Sequence, residues 1–281
     1  MANENRLSQS TYKLPNLRTI LISVAMLALF GCASPYSYNP SFPDHSQEKY
    51  IGVFFDGTAN DETSNTNIAK LRNLAYLQAN PAIHTIYVNG VGTEGVLTSK
   101  ILGLAVGYGV DRDVKQAYQY LAETYNRNKN DKVLIFGFSR GAYSARVLSG
   151  LIAVAGIPEF MHIDDLTISL EEKQKTKKDF IDSIFSAYLR EDTLDERIME
   201  ISKVNGYVKR EAEVEFLGLW DTVPAIGAPK YKLEQAQQKY KHPSRYYDQL
   251  CNVKKAAHAM SIDDNRANIF VALNLTYDDL V

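Results

Sequence analysis

KVLIFGFSRGAYSARVLSGLIAVAG, Lys132–Gly156, is the stretch on which the fold turns. It opens as an apolar run rich in β-formers, KVLIF. It passes through Gly137, Ser139 and Gly141, and it closes on residues whose apolar positions recur at helical spacing. That order predicts a buried strand over 132–138 feeding straight into a helix over 140–155. A serine in a G-x-S-x-G corner of this kind has two readings. One is an ordinary turn serine. The other is a nucleophile on a sharp strand-to-helix turn, where the glycines leave room for the bend and for close helix packing. In the second reading the hydroxyl projects from the carboxyl edge of the sheet, and the next backbone N–H, that of Arg140, points at an oxyanion. The helix N-terminus adds positive potential.

Working outward, strands and helices alternate. YIGVFF (Tyr50–Phe55) ends in Asp56-Gly57 and reads as a buried strand entering a loop. A helix is expected over Asn67–Gln78, with Ile68, Leu71, Leu74 and Leu77 on its apolar face. HTIYVN (His84–Asn89) is the next strand. The glycine-rich stretch Gly103–Gly109 leads into a helix whose apolar positions are Val110, Val114, Ala117, Leu121 and Tyr125. EVEFLGLW (Glu213–Trp220) is a fourth strand. The alternation predicts an α/β fold: a mostly parallel sheet with helices on both faces. A charged helical insertion occupies 157–212, for which a lid and a peripheral helix pair are both open.

Serine chemistry needs a base and an acid that orients it. On such a sheet the chain order is Ser, then Asp or Glu, then His. Asp221, closing FLGLWDTV, stands at a strand end where ligands bind in open α/β sheets. Its alternative role is to cap the following turn. Asp56 also ends a strand and is expected to shape the loop beside the elbow, where Gly57 and Thr58 offer N–H groups to an oxyanion. Of five histidines only His242 and His258 follow Asp221. His258, expected at a helix end in KKAAHAMSIDDNR, is the candidate base; packing among alanines is its other reading. FFDGT also looks superficially like the phosphatase motif D-x-D-G-T, but Phe54 stands where that chemistry needs a carboxylate.

The chain has 281 residues, 45% hydrophobic and 23% charged, with a formal net charge of −2. These are globular values, and nothing in the charge favours a nucleic-acid partner. At the N-terminus, Lys13 and Arg18 precede the short apolar run Thr19–Phe30, then Gly31 and Cys32. This predicts a secretory leader over 1–31. LFGC (Leu29–Cys32) resembles a bacterial lipobox, Phe30 being bulkier than that motif usually carries, with Cys32 as the lipidated residue; a plain cleaved signal or an uncleaved anchor is the other reading. Residues 32–48 read as a tether and 49–281 as the folded domain. Lipid on Cys32 would hold the protein to the cell envelope, and Ala33 after it favours the outer membrane. Cys251, left alone, is expected to be a small buried apolar residue.

Five blocks occur in order: FFDGTAN (Phe54–Asn60), YVNGVGT (Tyr87–Thr93), GFSRGAYSAR (Gly137–Arg146), FLGLWDTV (Phe216–Val223) and HAMSIDDNR (His258–Arg266). Together, over nearly all of residues 50–270, they resemble the α/β-hydrolase catalytic domain of bacterial type VI secretion phospholipase effectors and their uncharacterised relatives. The resemblance implies a serine esterase acting on glycerophospholipids without metal or cofactor, with Ser139 as nucleophile and Asp221 as acid. That family also has a later block similar to G-V-H-S-D-V-G-G-G-Y, whose histidine is the base. The 281 residues close on NLTYDDLV (Asn274–Val281) without it. The domain is therefore expected to be truncated at its C-terminus, its last strand included, or to use His258 or His242 as base. The alternative is a non-catalytic lipoprotein of the same fold, binding a partner or serving as an immunity-type protein.

Overall fold

Among the described residues every pairing in the main sheet is parallel. The structure, a computed structural model, describes residues 48–90, 108–190, 192–223 and 250–261. Cys32 with the leader and most of the tether, His242, most of the glycine-rich stretch and the closing residues lie outside that set. The strands are β1 (Tyr50–Phe55), β2 (Ile83–Val88), β3 (Lys132–Phe138), β4 (Ile157–Pro158), β5 (Lys209–Arg210), β6 (Val214–Trp220) and β7 (Ala256–Ala259). Among the described residues the main sheet runs β2-β1-β3-β6-β7, and β4 and β5 form a separate antiparallel pair. The helices are α1 (Asn67–Leu77), α2 (Tyr108–Thr124), α3 (Arg140–Ala155), α4 (Met161–Asp164), α5 (Leu170–Tyr188) and α6 (Leu194–Ser202).

The order places the site. The chain moves from β1 to β2 in one direction and from β2 to β3 in the other. Right-handed crossovers then put α1 on one face and α2 on the opposite face, where α3 joins it. β1 and β3 are neighbours whose following helices diverge, so a crevice opens between their carboxyl ends. The 56–60 loop and the Ser139 corner flank that crevice.

The α2–α3 face holds the main core. Ile51, Val53, Phe55, Val133, Ile135, Leu217 and Leu219 pack there against Val114, Leu121, Leu148, Leu151 and Ile152, all buried. The predicted stripe of α2, from Val110 to Tyr125, is buried throughout. Outside this layer α5 buries Phe180, Ile181, Ile184, Phe185 and Tyr188. The 157–212 segment is thus a set of helices packed on α2 and α3. On the other face Phe54, Phe136 and Phe216 form a ring ladder, with centroids 5.0 and 5.8 Å apart.

Three expectations change. Helix α1 buries Ile68, Ala69 and Arg72, while Leu74 and Leu77 are 58% and 74% exposed. Only its first turns reach the sheet, so its far apolar residues find no partner surface there. His258 stands in strand β7, not at a helix end: KKAAHA pairs with the open edge of β6, and that ladder overrides alanine's helix preference. Cys251 is exposed, because it lies in the turn before β7.

Candidate active site

Two glycines make the corner at the end of β3 possible. A Cβ on Gly137 would lie 2.5 Å from the Cα of Ala142, and one on Gly141 would lie 2.4 Å from the carbonyl oxygen of Phe55. Only glycine lets α3 turn back this tightly and approach β1 this closely. Between them Ser139 holds φ +55° and ψ −118°. An L-residue adopts that conformation at a cost of about 1–3 kcal/mol, so the surrounding contacts must impose it. They are visible. The Ser139 N–H donates to the Trp220 carbonyl at 2.8 Å, and its own carbonyl accepts from Ala142 at 3.1 Å and from Val223 at 3.2 Å. The strained residue is half-buried.

Arg140 is the first residue of α3, so helix geometry leaves its N–H without an intrahelical acceptor. Burial pushes its guanidinium below the usual value, and Asp113 of α2 opposes that shift. An arginine so placed stays charged at neutral pH. Across the crevice, Asp56 is 3% exposed. Its Oδ1 accepts the Gly57 N–H at 2.7 Å, and its Oδ2 accepts hydroxyls from Thr66 and Tyr87, each at 2.5 Å. The carboxylate is spent on shaping the loop. The Gly57 N–H is thereby engaged within its own loop.

Thr66 and Tyr87 were not anticipated from the sequence. Thr66 caps α1 by accepting the Ala69 N–H at 3.0 Å, a role its place before the helix signals. Burial first, then the Asp56 hydrogen bond and charge, push the Tyr87 hydroxyl far above the usual phenol value, so it stays a donor. Gly90 completes the packing: a Cβ there would lie 1.6 Å from the Gly57 carbonyl oxygen. The loops after β1 and β2 therefore touch backbone to backbone.

Asp221 ends β6 at φ +45°, a value aspartate tolerates better than most residues. Its N–H donates to the Ala259 carbonyl at 2.9 Å, and its Oδ1 accepts the Ser261 N–H. Both the capping role and a position at the carboxyl edge are therefore present. His258 is one strand further out. Its Nε2 accepts the Thr222 N–H at 3.3 Å, and the Thr222 hydroxyl lies 3.1 Å from the same nitrogen. Burial first, then the Arg146 cation, hold this imidazole below its ordinary 6.5, and Asp221 pulls the other way. The structure thus gathers Ser139, Gly137, Arg140, Gly141, the Asp56–Thr58 loop and Asp221 at one edge. It turns the acceptor nitrogen of His258 toward Thr222, not toward Ser139. Among the described residues no cluster of three or more His, Cys, Asp or Glu is placed to hold a metal ion.

The chain is similar to the uncharacterized protein YEL023C of Saccharomyces cerevisiae, at 27% identity over 253 residues. That alignment covers 84% of this chain and 34% of the yeast protein, so the chain spans about a third of that relative's length. Among solved structures, it is similar to the Tle1 effector bound to the VgrG spike of the type 6 secretion system. There the identity is 21%, the coverage 63% of this chain and 38% of that one, and the TM-score 0.27. It is similar also to RedJ, a thioesterase of prodiginine biosynthesis in Streptomyces coelicolor, at 13% identity, 89% and 90% coverage and a TM-score of 0.28. The family model for the T6SS phospholipase effector Tle1-like catalytic domain matches residues 49–276, and the chain belongs to that family.

Proposed function

We propose that this chain is the catalytic part of a serine hydrolase that cleaves lipid esters, phospholipids among them, and that it is held to the cell envelope by lipid on Cys32. One observation carries the catalytic reading: a non-glycine residue, Ser139, is held at φ +55° and ψ −118° between two glycines at the switch point of a parallel sheet. Strain of that kind persists where it serves a site.

In this scheme Ser139 Oγ attacks the ester carbonyl. The bond from carbon to the leaving alkoxide breaks, and the serine proton passes through a histidine to that alkoxide. Water then cleaves the acyl-serine by the same route in reverse order. N–H groups of Arg140 and Thr58 hold the oxyanion. Asp221 orients the histidine. With Nε2 facing Thr222, His258 is not assigned that proton transfer. The charged Arg140 beside the nucleophile suits an anionic lipid. The run TILISVAMLALFGC, Thr19–Cys32, supports the anchor. The non-catalytic alternative draws support from the engagement of His258 with Thr222.

Fatty acid released from phosphatidylglycerol vesicles is the deciding assay. Wild-type protein is expected to release it and Ser139→Ala is not; equal release by both would remove Ser139 from the mechanism. Cys32→Ser is expected to move the protein from the membrane pellet to the soluble fraction.

A further inference from the structure

Three consecutive backbone N–H groups leave the end of β6 in different directions. That of Asp221 goes to the Ala259 carbonyl on β7 at 2.9 Å, and that of Val223 goes to the Ser139 carbonyl after β3 at 3.2 Å. The middle one, from Thr222, has no strand carbonyl as acceptor. It goes to Nε2 of His258, at 3.3 Å. Thr222 is 0% exposed, so water is not at hand to replace that acceptor. A buried N–H left without one costs about 1–3 kcal/mol. The turn matters because it joins both strained residues of the site. Asp221 sits on it, and Ser139 is tied to it twice, through Trp220 and Val223.

We propose that His258 is a positioning residue: its imidazole accepts the buried Thr222 N–H and so fixes the turn that sets Asp221 against the Ser139 elbow. The catalytic consequence rests on the hydrolase reading above; the turn itself does not. The role requires Nε2 unprotonated, hence the proton on Nδ1 in the neutral ring. The pairing of His258 with Leu219 puts the ring on the α3 face of the sheet, because Leu219 in turn pairs with Gly137, which faces Ala142. Among the described residues, the charged groups that act on it include Arg146 from α3, which opposes protonation, and Asp221 from the end of β6, which favours it. An imidazolium cannot accept the N–H, so acid should release the turn. With the folded value depressed, the neutral ring's contribution is whole above about pH 6.5 and is lost as pH falls through the folded value.

Glutamine separates positioning from proton transfer, because its carbonyl oxygen can stand where Nε2 stands but cannot act as a base. His258→Ala is expected to lower kcat about 10- to 100-fold with little change in KM, and His258→Gln to stay within about threefold of wild type. Independently of activity, the Thr222 amide should exchange with solvent about 10- to 100-fold faster in His258→Ala and at the wild-type rate in His258→Gln. In wild type the protection of that amide, taken relative to its intrinsic exchange rate at each pH, should fall as pH drops from about 6.5 through the depressed folded value, a limb absent from His258→Gln. If His258→Gln is as inactive as His258→Ala while Ser139→Ala is also inactive, His258 is the base and the inference is wrong. Equal Thr222 protection in all three proteins also overturns it. Should wild type and Ser139→Ala hydrolyse ester equally, the hydrolase reading fails while the exchange data still decide this one. If His258→Ala does not fold, the glutamine variant and the wild-type pH series suffice.

Discussion

The two ends of the same parallel sheet are built on different principles. At the carboxyl end, Ala59, Ser139 and Asp221 all hold positive φ without being glycine. Buried polar groups there are spent on loops that converge on a crevice. At the amino end, positive φ falls to Asn130 and Gly156, which suit it, and otherwise to Ala79 beyond α1. Buried polar groups there close the structure. Lys49 is 1% exposed, pairs with Asp131 at 3.3 Å, and donates to the Thr124 carbonyl. Asp131 also accepts the Lys49 N–H at 2.9 Å and the Asn126 N–H at 2.8 Å. Arg210 extends one guanidinium to the carbonyls of Ala122, Tyr125, Ile157 and Pro158, capping the end of α2 and tying it to β4. The carboxyl end gathers its positive-φ residues around the crevice; the amino end closes through the Lys49–Asp131 pair and the Arg210 guanidinium.

The contrast breaks most sharply at Ser139. Ser139→Ala should lower ester hydrolysis by at least about 10⁴-fold in a fatty-acid release assay, with the fold intact by circular dichroism. Ser139→Gly should be equally inactive yet more stable by about 1 kcal/mol in urea titration, because glycine removes the strain. A loss of stability instead would mean that the elbow carries none. At the other end, Asp131→Ala should cost about 3–5 kcal/mol, since it strands the buried Lys49 cation, while hydrolysis per folded molecule is unchanged. Thr193→Ala is a smaller control. Thr193 closes a capping box on α6 with Glu196, away from both ends, and its loss should cost about 1 kcal/mol by thermal melt. Lys254→Ala sharpens the comparison from below. Lys254 pairs with Glu213 at 2.8 Å and Glu215 at 3.4 Å in open solvent, and its removal should leave Tm and hydrolysis where they were.

How far the sequence could be read follows the same division. Strands β1, β2, β3 and β6 were legible as apolar runs, and α2 because Val110, Val114, Ala117, Leu121 and Tyr125 repeat at the helical period and that period is what burial selects. The corner was legible because Gly137 and Gly141 have a steric reason local to the motif. Helix α1 misled, since Leu74 and Leu77 keep the period past the point where the sheet ends. His258 misled for a related reason: alanines favour a helix until an open strand edge offers a ladder. The contacts of Thr66 and Tyr87 with Asp56, and of Thr222 with His258, depend on three-dimensional closure of separate loops. No spacing rule carries them.

The central claim is that the strained hydroxyl of Ser139 is the group that reacts. The direct measurement is the mass of the intact protein after exposure to a fluorophosphonate, followed by peptide mapping. Attack by Oγ forms an O–P bond and expels fluoride, so the account predicts a single adduct on the peptide that contains Ser139 and none in Ser139→Ala. An adduct on another residue, or ester hydrolysis by protein whose Ser139 remains unlabelled, would contradict it.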